Sequence, residues 1–484
     1  MLSFLLPVLL FPFLACAAET ILGVFIFSRH GDRTAKSTPP AALTTLGYRQ
    51  IFNSGTYFRN RYIAPDVASR IVGVDSDVVE QSQITVSSPV DTVLMNSAQG
   101  FLQGLYPPVG SQLASDTLRN GSVISSPLNG YQLIPIGSTT AGMGSEDSAW
   151  LQASSNCPQA ILSSNEYFTS SDYNNLLAST GAFYKSLTPL INATFGADQI
   201  SYKNAYTIFD LLNVASIHNK SLSALPLLTD SVFSQLRTLA DHHELNLAYN
   251  STDPVRAIAG STLATQVVQG LGNTIKSQGK SKITVEFGAY ASFLSFFGLA
   301  DLLTLPDSND SFMGIPDYAS TMTFELFTTA DASSFPAVED LQVRFLFHNG
   351  TMDENSKLTA YPLFGQSSTE LTWTDFEAGM GRFAVGGQKQ WCEACGNSTG
   401  TCASVTPSSS SSSGAGAAGS DSGTGGGISK AAAGVIGAMV TLAVILGSQA
   451  AVMLVAGLRV VKKNQLASRA ANENGVGEAD ERKV

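Results

Sequence analysis

An apolar segment that ends in cationic side chains constrains this chain more than any other feature. Residues 21–27 are apolar and β-branched or aromatic at nearly every position, which predicts a strand buried on both faces of a parallel sheet. Arg29, His30 and Arg33 follow it, and ligands of open α/β sheets bind beyond the carboxyl ends of such strands. Two guanidiniums around one imidazole repel each other unless a dianion lies between them, and arginine binds phosphate bidentately. The segment predicts a phosphate site; a buried structural histidine is the alternative.

The motif R-H-G-D-R-T-A at residues 29–35 resembles the R-H-G-x-R-x-P signature of the histidine acid phosphatases, the large branch of the histidine phosphatase superfamily. Ala35 replaces the proline. The resemblance implies that His30 is a nucleophile carrying a phosphohistidine, that Arg29 and Arg33 bind phosphate oxygens, and that no cofactor is needed. It also implies a phosphoglycerate mutase-like α/β fold: a mainly parallel sheet with flanking helices and an inserted helical cap.

The same resemblance extends along residues 19–403, which we expect to form the phosphatase-like domain. Apolar periodicity predicts a cap of helices over about residues 164–250, because no strong strand signal interrupts that segment. Further predicted strands and helices flank it. These are a helix after Leu43, a strand at 84–87, a helix at 91–105, and strands at 282–287 and 341–347.

Two elements of the family's active site, a third arginine and a His-Asp pair, are missing from their expected positions. A third phosphate-binding arginine should follow the second core strand, but residues 84–91 contain none, and such a charge-assisted contact is worth about 1.5–3 kcal/mol. The general acid should be the aspartate of a His-Asp pair. Counting back from Gly298 puts Gly288 and Ala289 at those positions, and neither has a side chain that transfers protons.

A substitute acid is therefore needed if phosphate is cleaved from a poor leaving group. General acid catalysis usually contributes about 10²–10⁴ in rate. Glu286, just before the vacant positions, is the first candidate for this role. His242, His243 and Glu244 form a second titratable cluster in the predicted cap, although successive residues of a helix point in different directions. A polar helix face is the plainer interpretation of that cluster.

Both ends of the chain indicate the secretory pathway. Residues 1–18 resemble a cleaved signal peptide, with an apolar run followed by small residues. Residues 431–458 contain no charged side chain and are long enough to span a bilayer, and basic residues follow at once. We expect a single transmembrane helix, a Ser/Gly-rich linker at 404–429, and a cytoplasmic tail at 459–484, with the N-terminal domain extracytoplasmic at the cell surface or another membrane.

Composition and cysteine content agree with this location. Loss of the signal peptide leaves four cysteines, which predicts two disulfides with three possible pairings and no metal site. They are Cys157, Cys392, Cys395 and Cys402. Seven sequons predict N-glycosylation, at Asn120, Asn192, Asn219, Asn250, Asn309, Asn349 and Asn397. A formal net charge of -11 without clustered basic residues argues against nucleic acid as a partner.

Three functions remain compatible with these features. The first is an acid phosphatase, a phosphomonoester hydrolase that is slow or uses an unusual proton donor on a phosphate-containing small molecule. The second is a catalytically impaired pseudophosphatase that binds phosphate or a phospho-ligand. The third is a structural glycoprotein of the cell surface. We favour the first, because retention of the nucleophile and both flanking arginines is more than binding requires.

Overall fold

The computed structural model describes residues 19–139, 155–219, 227–306 and 308–404. The predicted signal peptide, transmembrane helix, tail and nearly all of the linker lie outside these ranges. None of the helices within them is long and apolar enough to cross a membrane.

The described residues contain ten strands, which form a large sheet and a separate hairpin. The order in the large sheet is β10-β8-β7-β1-β6-β2-β5, with β9 also paired to β8, and the hairpin consists of β3 and β4. The strands are β1 Thr20–Arg29, β2 Ile84–Pro89, β3 Ser115–Thr117, β4 Val123–Ser125, β5 Gly137–Thr139, β6 Ile283–Gly288, β7 Thr321–Thr328, β8 Leu341–His348, β9 Thr359–Tyr361 and β10 Glu370–Thr372.

The centre of the sheet is parallel and one side is antiparallel. Strands β1, β6, β2 and β5 run in one direction, as expected for the α/β fold. On the other side of β1, strand β7 pairs antiparallel with β1 and with β8, and β9 and β10 pair antiparallel with β8. The parallel half brings the carboxyl ends of β1, β6 and β2 to one edge of the sheet.

Helices cover the sheet and make up most of the described residues between β5 and β6. Those of six residues or more are α1 Thr45–Tyr62, α2 Thr92–Leu105, α3 Pro158–Glu166, α4 Ser171–Ser179, α5 Gly181–Ser186, α6 Ala205–His218, α7 Asp230–Ala248, α8 Ile258–Lys276, α9 Tyr290–Leu299, α10 Trp373–Gly381 and α11 Gln388–Cys395. Four-residue helical turns lie at Pro127–Gly130, Thr188–Ile191 and Ser308–Ser311. Short 3-10 segments lie at Gln81–Gln83, Tyr167–Thr169, Tyr202–Asn204, Pro254–Ala257, Leu302–Thr304, Val338–Asp340 and Gly400–Ser404.

Strand β1 is buried on both faces, as its apolar sequence predicts. Phe25 and Phe27 belong to an apolar cluster that includes α8 and the helices between β5 and β6. Val24 and Ile26 point to the opposite face and pack with α1 and α2. Between Ser155 and Lys282 the described residues contain helices and no strand, in keeping with the helical periodicity of that part of the sequence.

The four predicted cysteines form two disulfides, Cys157–Cys395 and Cys392–Cys402. Each cysteine of the C-x-x-C motif therefore pairs outside the motif, which excludes a thiolate zinc site there. The first disulfide joins residues 238 positions apart and attaches α11 to the start of α3. It closes a very long loop, which is where a crosslink restricts the unfolded chain most.

The predicted glycosylation sites are accessible where the structure describes their side chains. Four of these asparagines are exposed and two are partly exposed: Asn120, Asn192, Asn219 and Asn349, and Asn250 and Asn397 respectively. The side chain of Asn309 lies outside the described set. Glycosylation at these positions stays a prediction.

Candidate active site

The motif loop leaves β1 at Arg29 and is clamped against the start of α1. A Cβ atom on Gly31 would lie 2.3 Å from the carbonyl oxygen of Gly47, and one on Gly47 would lie 2.0 Å from that of Asp32. Glycine is therefore required on both sides of this contact. Asp32 also accepts from the backbone N–H and the hydroxyl of Thr44, the residue that caps α1. The result is a rigid loop at the carboxyl edge of the parallel strands.

His30 is fully buried in this loop, and its ring has a defined orientation. Its Nδ1 lies 2.7 Å from the carbonyl oxygen of Gly31. Because a carbonyl oxygen only accepts, this contact assigns the proton to Nδ1 and leaves the lone pair on Nε2. The ring also packs against Tyr318, with 5.6 Å between ring centroids. The arrangement presents a nitrogen nucleophile in a fixed direction.

Arg29 is held from the opposite side by the loop that precedes β7. Its Nη1 donates to the carbonyl oxygen of Pro316. Its guanidinium lies 4.7 Å from the ring centroid of Tyr318 and 5.5 Å from that of Tyr290. Only 4% of Arg29 is exposed, so these aromatic faces and the carbonyl group replace much of its hydration.

Arg33 is fully buried and reaches the helix α6. Its Nη1 lies 3.0 Å from Oδ1 of Asp210, and its Nη2 donates to the hydroxyl of Tyr206 at 3.0 Å. Asp210 also accepts from the backbone N–H of Lys36 at 2.7 Å. Tyr206 and Asp210 lie one turn apart on α6, which explains how one helix face holds both the guanidinium and the loop.

Lys36 supplies a third cation to the same region. Its Nζ lies 5.5 Å from the ring centroid of Tyr206 and 5.8 Å from that of Tyr290. Three cationic side chains thus surround the motif, although the third arginine expected after β2 is absent. In β2, the residue that pairs with Glu286 of β6 is Ser87 rather than an arginine.

His218 and His348 lie at the margins of the fold. His218, at the end of α6, places Nε2 2.7 Å from Oδ2 of the buried Asp32. His348, at the end of β8, contacts the backbone oxygens of Lys357 and Thr351. His218 therefore helps to fix the motif loop, because it satisfies a carboxylate that the loop buries.

Gly288 and Ala289 lie at the end of β6, next to the motif. Gly288 pairs with Arg29 in the register of β1 and β6, and Ala289 caps helix α9 without a side-chain hydrogen bond. These two positions are where the sequence predicts the missing His-Asp pair. The geometry places them beside the first arginine, with a hydrogen atom and a methyl group as side chains.

Glu286 lies inside β6, two residues before that edge. It is paired with Phe27 on one side and Ser87 on the other, and its Oε2 is buried without a hydrogen-bond partner among the described residues. Burial raises the pKa of this carboxyl to about 8, and a hydrogen bond with Ser87 opposes the shift only in part. Glu286 therefore holds a proton at acid pH, and its role as substitute acid stays a prediction.

Burial of Glu286 should make the free energy of unfolding depend on pH. Because the pKa of Glu286 is higher in the folded than in the unfolded protein, folding favours the protonated form. Its contribution is complete below about pH 4.5 and is lost as the pH rises through about 8, with a limiting slope of about 1.4 kcal/mol per pH unit. Relative to Glu286→Gln, the wild type should lose at least about 2 kcal/mol of unfolding free energy between pH 5 and pH 8.

Urea unfolding at both pH values measures this difference. The exposed carboxyl of Glu339 provides the control, because Glu339→Gln should follow the wild type at both pH values. Parallel stability curves for wild type and Glu286→Gln would contradict the expected titration.

Glu244, from the second titratable cluster of the cap, reaches the site from α7. Its Oε2 accepts from the hydroxyl of Tyr290 at 2.6 Å, and its Oε1 lies 2.8 Å from Nδ1 of His243. His243 is buried, whereas the ring of His242 is half-exposed and contacts Tyr167 and Tyr202. Within this cluster, Glu244 therefore faces the motif region and His242 faces the outside.

Comparison with known proteins identifies the family of this chain. The sequence profile of the histidine phosphatase superfamily (branch 2) matches residues 37–348, more than half of the chain. The chain belongs to branch 2 of the histidine phosphatase superfamily. This confirms the family predicted from the sequence, and the matched range begins just after the motif at residues 29–35.

Branch 2 relatives include a curated acid phosphatase. The lysosomal acid phosphatase of Xenopus laevis is 26% identical over 376 residues, which cover 74% of this chain and 76% of the relative. Among solved structures, the apo form of Hafnia alvei phytase aligns with a TM-score of 0.50 at 13% identity, over 79% of this chain and 99% of the other. The phytase from Citrobacter braakii aligns with a TM-score of 0.51 at 12% identity, over 78% and 99%. These structures show a shared fold.

Several residues of this histidine phosphatase site were not predicted from the sequence. Asp210, Tyr206 and Tyr290 contact Arg33, Arg29 or Glu244 across long stretches of chain, and no local pattern links them. The one available signal was the spacing of Tyr206 and Asp210 on a single face of a predicted helix.

Proposed function

We propose that the protein is an acid phosphatase, a phosphomonoester hydrolase that acts through a phosphohistidine on His30. The observation that supports this most directly is the hydrogen bond from Nδ1 of His30 to Gly31, between two buried arginines. It directs the Nε2 lone pair away from the carbonyl group. The nucleophile of a phosphoryl transfer needs this fixed orientation more than it needs unusual reactivity.

The reaction takes place in two displacements. Nε2 of His30 attacks phosphorus, an N–P bond forms, and the P–O bond to the alcohol breaks. Water then attacks the phosphohistidine, its proton leaves, and phosphate and free His30 are released. Arg29, Arg33 and Lys36 provide positive charge for the phosphoryl oxygens, and Asp210 holds Arg33 in place.

The leaving group determines how fast such a site works. Gly288 and Ala289 donate no proton, so an alkoxide would have to leave without help from the position that the family uses. Aryl phosphates have better leaving groups and need less help. We therefore expect p-nitrophenyl phosphate to be hydrolysed faster than an alkyl phosphate such as glycerol 2-phosphate.

The same vacancy favours a second candidate, a pseudophosphatase that binds phosphate without turnover. Its site would retain Arg29, Arg33 and Lys36 as an anion cradle. Phosphate would then raise the melting temperature of the protein, while no phosphate would be released from any monoester. The two functions differ in whether a covalent intermediate forms.

Trapping of the phosphohistidine tests the proposal. Wild-type protein mixed with ³²P-labelled p-nitrophenyl phosphate and quenched in base within milliseconds should carry label that acid releases, because the N–P bond is acid-labile. His30→Asn should carry none. Label on the wild type that persists in His30→Asn, or no label together with no turnover, would contradict catalysis through His30.

We also propose that the domain is extracytoplasmic and is anchored by residues 431–458. Two disulfides and exposed asparagines in sequons support this, because disulfides persist in oxidising compartments. In intact cells a C-terminal tag should resist external protease, and peptide N-glycosidase should lower the apparent mass of the protein. A secreted, unglycosylated product would contradict the proposed topology.

A further inference from the structure

We infer that Tyr290 and Glu244 form the proton-transfer unit of this site and take over the task of the absent His-Asp pair. The inference rests on the proposed function of His30. It assigns Tyr290 as the group that protonates the leaving oxygen, and Glu244 as the carboxylate that positions Tyr290 and returns its proton.

Tyr290 lies next to the positions of the absent His-Asp pair and beside Arg29. It follows Gly288 and Ala289 directly as the first residue of α9. Its ring is 5.5 Å from the guanidinium of Arg29 and 4.8 Å from the ring of Tyr206, whose hydroxyl in turn accepts from Arg33. The phenol therefore belongs to the wall that joins the two arginines, and it is 6% exposed.

The hydroxyl of Tyr290 is not a passive part of that wall. It donates to Oε2 of Glu244 at 2.6 Å, a short contact of the kind formed between a phenol and a carboxylate. The other oxygen of Glu244 lies 2.8 Å from Nδ1 of the buried His243. A continuous chain of three titratable groups thus runs from the arginine wall into the cap.

Charges of both signs lie near the phenol. Arg29 and Lys36 face its ring, at 5.5 Å and 5.8 Å from the centroid, and offset the negative charge that proton transfer leaves on the phenol oxygen, whereas the carboxylate of Glu244 opposes that charge. Tyr206 packs beside it, and Glu244 is the carboxylate in contact with its oxygen. Transfer of the proton from Tyr290 to an alkoxide is favourable, because an alkoxide is far more basic than a phenolate.

The other three carboxylates of the region are occupied differently. Asp32 is paired with His218. Asp210 is committed to the guanidinium of Arg33 and to the N–H of Lys36. Glu286 lies within the sheet and shares a hydrogen bond with Ser87. Glu244 is the one whose contact is a hydroxyl group on the arginine wall.

Both steps of this reaction conserve protons and electrons. As Nε2 of His30 bonds to phosphorus, the P–O bond breaks, and the leaving oxygen takes the proton of the Tyr290 hydroxyl. In the second step the oxygen of a water molecule bonds to phosphorus, the N–P bond breaks with its electron pair returning to Nε2, and the water gives a proton to the phenolate, directly or through the carboxylate of Glu244. The phenol is restored, phosphate leaves, and no other reactant is consumed.

The test is the dependence of rate on the leaving group. Tyr290→Phe and Glu244→Gln should each lower kcat/KM for glycerol 2-phosphate by about 10²-fold, but change that for p-nitrophenyl phosphate by less than about 3-fold, because nitrophenolate needs little protonation. The solvent deuterium isotope effect on the alkyl ester should also fall in both variants. These two readouts separate proton transfer from a structural role, which would lower both rates alike.

Control variants distinguish the role of Tyr290 and Glu244 from the proposed function of His30. Tyr361→Phe on β9 and Glu377→Gln on α10 remove the same groups at the antiparallel edge of the sheet and should leave both rates unchanged. Loss of all turnover in His30→Asn is required by the proposed function. If His30→Asn retains turnover, or if wild type has none, the proposed function fails.

Three results overturn the assignment of Tyr290 and Glu244 while leaving His30 intact. They are an equal loss on both esters, no loss on either, and a wild type that hydrolyses only the aryl ester. Circular dichroism and melting temperature identify a variant that fails to fold, and the second variant then decides.

Discussion

Replacement of His30 by asparagine is expected to lower kcat for p-nitrophenyl phosphate by at least about 10³-fold. In the proposed mechanism the imidazole Nε2 forms the bond to phosphorus, and an amide nitrogen has no lone pair available for attack. Asparagine is chosen because His30 is fully buried, and a smaller residue would leave a cavity beside Tyr318. The measurement is phosphate release at acid pH under saturating substrate.

His348 provides the matched control, because its ring contacts only backbone oxygens at the end of β8 in the described hydrogen-bond network. His348→Asn should keep wild-type kcat. Melting temperatures of the two variants show whether either loses its fold. Retention of more than a tenth of kcat in a folded His30→Asn protein would mean that another group attacks phosphorus.

The parallel half of the fold was predictable because its signals are local. The strands β1, β2 and β6 and the helices α1, α2, α6 and α7 all coincide with runs of apolar periodicity, as does β8 on the antiparallel side. The antiparallel side of the sheet was harder to predict from the sequence. Strand β7, Thr321–Thr328, carries a glutamate among its apolar residues, and its pairing with β1 joins residues about 300 positions apart.

The active site was predictable only for residues that are contiguous in sequence. Arg29, His30 and Arg33 form one motif, whereas Asp210, Glu244 and Tyr290 come from three helices and meet through the tertiary structure. The titratable cluster of residues 240–244 was visible in the sequence, but helical geometry alone did not show which member faces the site. The disulfide pairing was open for the same reason, because three pairings satisfy the same four cysteines.

Glu325 shows what tertiary context does to a residue that the sequence leaves ambiguous. It is fully buried in β7, where Arg344 lies directly opposite on β8 and Arg61 and Tyr62 reach it from α1. Burial alone would raise the pKa of this carboxyl, but the two guanidiniums outweigh burial and hold the pKa below its usual value. The carboxylate is thus charged in the folded protein and joins helix α1 to the sheet.

Glu325→Gln should therefore lower the free energy of unfolding by about 3–5 kcal/mol at pH 7, because it leaves two guanidiniums without their shared anion. Urea unfolding followed by circular dichroism measures the change. Glu370→Gln is the matched control, since Glu370 also pairs with Arg344 but is 45% exposed. That exposed pair should contribute less than about 1 kcal/mol.

The pH dependence gives an independent check of the same network. Because the pKa of Glu325 is lower in the folded protein, its stabilisation is present above the usual carboxyl pKa and is lost as the pH falls through the lowered value. The difference between wild type and Glu325→Gln should accordingly shrink from pH 7 towards pH 3. Equal destabilisation by Glu325→Gln and Glu370→Gln, or a gap that stays constant with pH, would show that packing rather than charge holds α1 against the antiparallel side of the sheet.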